Sequence, residues 1–273
     1  MRLLLACALA GCSFSPPGAS EDATVTGDWK LVTSGWDHTC AIRTDDSLWC
    51  WGDNSSGQVG IASESPEIVV PTRVGDRTWT AVTAGEGHTC AIATDGAAWC
   101  WGLGTSGQLG VMMPPENGTQ REPIAVEGSW KAIAAGFTHT CAISATDQLW
   151  CWGANGSGEA GDTQAASPIP RMVSPAGWLA VTTGTSTTCG IKSDQSLWCT
   201  GSNVYGVLGD GTNTSRAAFA QVDGKWSQVS TRVTHACGVR SDGKLRCWGA
   251  NAAGQLGDGT ITAQYTPRAV GGD

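Results

Sequence analysis

The sequence has no basic stripe, no apolar run long enough to cross a membrane, and very little helical periodicity. Its 16 Lys and Arg are outnumbered by 24 Asp and Glu, giving a formal charge of −8, and the densest basic group is only Arg240, Lys244 and Arg246. An acidic chain without a basic face lacks the phosphate neutralisation that dominates nucleic-acid binding, so no nucleic-acid partner is expected. Few helical stripes beside 38 glycines exclude a helix bundle and favour short strands joined by tight turns. A unique catalytic constellation is also missing. Every His, Cys or Trp that could be nominated recurs at an equivalent position further along, and a unique active site needs unique residues. Neither an enzyme activity nor a cofactor is expected.

What the chain has instead is one unit written five times. The segment from His38 to Gly52, His-Thr-Cys-Ala-Ile-Arg-Thr-Asp-Asp-Ser-Leu-Trp-Cys-Trp-Gly, starts again at His88, His139, Thr187 and His235. Each copy holds two cysteines ten residues apart: Cys40 and Cys50, Cys90 and Cys100, Cys141 and Cys151, Cys189 and Cys199, Cys237 and Cys247. Antiparallel pairing across a three-residue loop, 44–46, sets Cys40 opposite Cys50, Ile42 opposite Leu48 and His38 opposite Gly52. Opposed residues lie about 4.5 to 5.5 Å apart at Cα, within reach of a disulfide. Such a loop needs a left-handed third residue, and Asp46, Gly96, Asp147 and Gly243 suit it better than Gln195. The other hairpin face carries Trp49 and Trp51, with counterparts Trp99 and Trp101, Trp150 and Trp152, Trp198 and Thr200, Arg246 and Trp248. A large indole face and a flatter Cys/Ile/Leu face suit stacking of successive sheets.

Around the hairpin, each unit opens on a tryptophan strand (Trp29, Trp79, Trp130, Trp178, Trp226). It continues through a glycine-framed turn such as Gly57-Gln-Val-Gly60 and closes on a strand such as Pro71-Thr-Arg-Val74. Four strands per unit of about fifty residues is the pattern of a β-propeller, so the fold class is all-β. The units span 27–76, 77–127, 128–175, 176–223 and 224–273.

Ahead of them, residues 1–11 read as a signal peptide, with Arg2 before a short apolar run. Leu9-Ala10-Gly11-Cys12 resembles a lipobox, which makes Cys12 the lipid attachment site. Residues 13–26 form a flexible tether. Cys7 is discarded with the signal, Cys12 is lipidated, and the ten remaining cysteines pair within units with none left over. Export and disulfides support each other, and the expected location is a bacterial membrane, facing the periplasm or the exterior.

Trp-x-x-Val-x-x-Gly, His-Thr-Cys-Ala-Ile, Leu-Trp-Cys-Trp-Gly, Gly-Gln-Leu-Gly and Pro-x-x-Val together resemble the repeat of the regulator of chromosome condensation family, in a cysteine-rich exported form. The resemblance covers residues 27 to 271 and implies a propeller, typically of seven blades. Five units leave three arrangements: a closed five-bladed ring, which is favoured, an open arc, or a ring completed by association of chains.

The four histidines, His38, His88, His139 and His235, each precede a cysteine by two residues. A metal motif is one reading of them. The other is an imidazole lying over the opposed glycine and hydrogen-bonded inside its own blade; disulfide formation favours this, and no metal is assigned.

Individuality is concentrated between the Gly-x-x-Gly turn and the last strand, where the intervals are 11, 13, 9, 10 and 10 residues. Rigid scaffolds present binding residues on such loops, which nominates Glu64, Glu67, Met112, Met113, Asn117, Asn213 and Tyr265. Trp36 is noted as a tryptophan outside the blade pattern. The expected function is a lipid-anchored module binding an envelope protein or glycan. The family includes bacterial propellers that inhibit β-lactamases, which illustrates by resemblance what such a face does. Two alternatives are nucleotide exchange on a small GTPase, which an export signal disfavours, and a glycan-acting enzyme with facing carboxylates.

Overall fold

A computed structural model describes residues 27–112, 118–175 and 177–271. The signal peptide, Cys12 and the tether therefore lie outside the described residues, as do Met113 and Asn117. Among the described residues, twenty strands form five separate four-stranded antiparallel sheets, each a meander in chain order. Unit one comprises β1 (Trp29–Ser34), β2 (His38–Arg43), β3 (Leu48–Asp53) and β4 (Glu67–Arg73). The pattern recurs as β5 to β8 from Trp79 to Val126, β9 to β12 from Trp130 to Ser174, β13 to β16 from Trp178 to Val222, and β17 to β20 from Trp226 to Ala269.

The hairpin register is the expected one: Cys40 faces Cys50, Ile42 faces Leu48 and His38 faces Gly52. All five cysteine pairs are disulfides with Cα atoms 4.1 Å apart. The third loop residue is left-handed in every unit, including Gln195 at φ 68°. Register therefore overrides the small cost of αL backbone for a residue without a local hydrogen-bonding side chain. The last strand of each unit begins three or four residues before the expected Pro or Phe, as with Glu67 ahead of Pro71. A shift between Cys50 and Gly52 realigns its pairing, so the proline sits inside an outer strand, where a missing donor is tolerated.

Successive units stack as the two hairpin faces require. Trp79 and Trp101 of unit two pack on Cys40, Ile42, Leu48 and Cys50 of unit one. Trp130 and Trp152 do the same on unit two, and Trp226 and Trp248 on unit four. The indole nitrogen of the second hairpin strand's inner tryptophan finds a carbonyl of the preceding unit's glycine-framed turn: Trp101 Nε1 donates to Gln58 O at 2.9 Å, Trp152 Nε1 to Gln108 O at 2.9 Å and Trp248 Nε1 to Val207 O at 2.8 Å.

Taken as a single chain, the five units form an open arc and not a closed five-bladed ring. Among the described residues, nothing joins unit five to unit one as neighbouring units are joined. Trp29 is consequently 39% exposed, whereas its four equivalents are 0 to 5% exposed. At the other end Leu245 is 45% exposed, against 0% for Leu48, Leu149 and Leu197. The closed five-bladed ring is not seen in the single chain, and the fifth unit also differs locally at this junction. Four units carry a glycine after the first strand, and a Cβ there would lie 2.2 to 2.8 Å from a carbonyl oxygen of the next unit. Unit five has Arg232 instead.

Candidate functional site

Three of the four histidines are junction pieces. His38 Nε2 lies 2.8 Å from Thr89 Oγ1 of unit two, and the His88–Thr140 and His139–Thr188 pairs repeat this at 2.9 Å. Thr89 spends its only proton on Gln58 O at 2.8 Å, so His38 must donate from Nε2. The bond crosses to the next unit instead of staying within the blade. Burial holds the imidazoles neutral, lowering the pKa of His38 to about 4, His88 to about 3 and His139 to about 4. At the fourth junction both partners change together: Thr187 replaces the histidine and Ala236 replaces the threonine. In units one to three the cysteines are locked in disulfides and the histidines are committed to threonines of the next unit.

The loops between first and second strands meet around the propeller axis. Close backbone approach at their glycines permits it: Trp36 N donates to Gly85 O at 3.2 Å, and Phe137 N to Gly184 O at 3.3 Å. One residue past this position, Gly in four units and Arg232 in the fifth, the repeat stops constraining identity, and there stand Trp36, Glu86, Phe137, Thr185 and Val233. All five line one cavity of about 90 Å³, together with Arg232. Trp36 is 58% exposed and meets Phe137 edge to face, with ring centroids 5.8 Å apart. Burial pushes the Glu86 carboxyl up, and Glu86 makes no ion pair among the described residues. The mouth thus offers an aromatic edge, a partly desolvated acid and an exposed base.

The profile of the RCC1-like domain matches residues 12–271. The chain belongs to the RCC1-like domain family. No curated protein matches it at a significant level. Among solved structures, it is similar to human WBSCR16, with 22% identity, 89% of this chain and 67% of that chain covered, and a TM-score of 0.79. Prp20p from Saccharomyces cerevisiae, described with its binding to Gsp1p and histones, gives 18% identity, 88% and 62% coverage, and a TM-score of 0.78. The ectodomain of the Arabidopsis thaliana receptor kinase ACR4 gives 20%, 94% and 70%, and 0.53. This chain thus spans about two thirds of the first relative and less of the second. These likenesses establish the fold.

The RCC1-like propeller does not gather its rim-loop residues into one site. Glu64 is spent on an ion pair with Arg121 of unit two at 3.1 Å. Glu67 begins β4 and is exposed, and Asn213 is exposed on unit four. The ring of Tyr265, on unit five, lies against Gly206 of unit four. Met112 is 70% exposed and lines a rim cavity between units two and three.

A clamp that the sequence reading passed over explains why most of these loops are fixed. Asn203 Nδ2 donates to Thr212 O at 3.0 Å while its Oδ1 accepts from Leu208 N at 2.9 Å. Asn54, Asn155 and Asn251 serve their own loops alike. Its signal was Gly-x-Asn, present in four units; unit two has Gly104.

Proposed function

We propose that this RCC1-like propeller is an exported, lipid-tethered binding module that takes a protein or glycan of the cell envelope at its axial mouth. The observation that carries this is the convergence of Trp36, Glu86, Phe137, Thr185 and Val233 on one cavity. These are positions at which all five copies differ, on loops held by a rigid repeat. Five disulfides suit an oxidising compartment, which supports export and weighs against exchange on a cytosolic GTPase. The lipobox-like Leu9-Ala10-Gly11-Cys12 supports anchoring at Cys12.

Capture from envelope extracts with the wild type, Trp36→Ala, Glu86→Gln and a rim variant, Asn213→Ala, tests the reading. The axial substitutions should lose the partner while the rim variant keeps it; the reverse pattern moves the site to the rim. Cys12→Ala should release the protein from the membrane fraction, and full retention would remove the anchor from the proposal.

A further inference from the structure

In four units a cation lies over one or two of the unit's tryptophan rings. The Arg43 guanidinium lies 5.9 Å from the Trp29 ring and 5.6 Å from Trp49. Arg77 lies 3.9 Å from Trp99. Lys192 Nζ lies 4.9 Å from Trp178 and 4.8 Å from Trp198. Arg240 lies 5.2 Å from Trp226. Three of these occupy one register position, opposite the first tryptophan of the unit: Trp29 faces Arg43, Trp178 faces Lys192 and Trp226 faces Arg240. In unit two that position is Ala93, and Arg77, two residues before Trp79, supplies the charge instead.

Unit three has neither source. Ser144 faces Trp130, and Gly128 stands two residues before it. Among the described residues no Lys or Arg covers Trp130 or Trp150. These two rings meet edge to face, 85° apart with centroids at 6.0 Å. Here the protein has a cavity of about 670 Å³, walled by Trp130, Trp150, Ser144 and Gly128, with Met112, Ile169 and Pro170 on its apolar side and Glu127 at its edge. Glu127 is exposed and has no ion-pair partner among the described residues. The size is that of a small-molecule site. Two rings at right angles beside an acid form the corner in which alkylated ammonium groups are held through the ring quadrupoles.

We propose that the cavity of unit three binds an organic cation with an alkylated ammonium head and an apolar body. Its charge takes the place that Arg43, Arg77, Lys192 and Arg240 fill in the other units. The head sits in the Trp130–Trp150 corner with Glu127 as counter-charge, and the body lies along Met112, Ile169 and Pro170. A planar guanidinium stacks best on a single ring face, so the right-angled corner favours the rounder ammonium. The site is separate from the axial mouth.

Calorimetric titration of the intact protein with tetramethylammonium, choline, butylguanidinium and the neutral carbon isostere of choline tests this. Choline and tetramethylammonium should bind saturably at one site, with the isostere about tenfold weaker or worse. Ser144→Arg, which restores the cap of units one and five, should weaken choline at least about tenfold without lowering the melting temperature. Glu127→Gln should weaken both ammonium probes severalfold and leave the isostere unchanged. Competition between free choline and phosphatidylcholine vesicles separates a soluble ligand from a lipid headgroup, and either result keeps the cation site. Equal binding of the isostere, tighter binding of butylguanidinium, undiminished binding by Ser144→Arg, or no binding by any probe overturns the proposal.

Discussion

Trp29 and Trp226 open units one and five of the same repeat, yet one is 39% exposed and the other 0%. The difference lies in the neighbour. Trp226 rests on Cys189, Ile191, Leu197 and Cys199 of the unit before it, and Trp29 has no such surface beneath it. In a stacked array the energy of a side chain is therefore set by the interface it helps to form, and only the interior units possess two. The largest test of that difference is a matched truncation. Trp226→Ala should cost roughly 3 to 5 kcal/mol, as for other buried tryptophans, while Trp29→Ala should cost about 1 kcal/mol or less. Denaturant midpoints measure both. Equal losses would mean that the arc closes in solution and buries Trp29.

The interior junctions also differ from the ends in their response to acid. His38, His88 and His139 each bridge two units through a threonine, and burial lowers their pKa values from 6.5 to about 4, 3 and 4. The sign follows from proton uptake. Below pH about 6.5 the unfolded chain binds protons that the folded chain refuses, so stability falls as pH drops from about 6.5 to about 4. A shift of that size is worth on the order of 3 kcal/mol for one histidine. Asp45, Asp194, Asp210 and Asp258, whose carboxyls lie below 3.8, add their loss only in stronger acid. Unfolding midpoints from pH 7 to 4 should show the histidine slope, and His139→Gln should reduce it. A flat profile over that range would show that the junctions admit water.

Much of this was legible in the residues. The hairpin register, the disulfide pairs and the stacking of indoles on the preceding Cys/Ile/Leu face all follow from period-two alternation and a fixed spacing, which are local. The histidine partners were not, because Thr89 lies 51 residues from His38 and sequence alternation says nothing of contacts between units. The axial mouth escaped for a similar reason: Trp36 alone drew notice, while Glu86 and Phe137 look unremarkable until five loops are brought to one axis. The open arc did leave a signal in Arg232, where four units have glycine, but its meaning depends on a carbonyl that only the assembled array supplies.

A smaller test concerns the fourth junction, where both members of the pair have changed. Thr187→His alone should cost about 1 to 3 kcal/mol, because the introduced imidazole N–H would face Ala236 with no acceptor. Adding Ala236→Thr supplies that acceptor. Its hydroxyl can donate to Val207 O, which already accepts from Trp248 Nε1 at 2.8 Å. The double variant should recover most of the loss, giving a coupling of about 1 kcal/mol in a double-mutant cycle. Additive losses would show that the junction cannot hold the imidazole at all.

The smallest expected effect sharpens the contrast most. A Cβ on Gly85 would stand 2.3 Å from Gly136 O, and one on Gly184 would stand 2.2 Å from Arg232 O. Gly85→Ala must therefore push two units apart and cost several times the ordinary penalty of a surface change. Arg232 occupies the equivalent place on the open face with no following carbonyl against it. Arg232→Gly should accordingly change stability by no more than about 0.5 kcal/mol, in line with other exposed positions. The two substitutions, measured in one urea series, compare the same loop position with and without a neighbour. If Arg232→Gly raised stability by as much as Gly85→Ala lowered it, the arginine would be holding apart two faces that otherwise join, and the open arc would be a consequence of that one side chain.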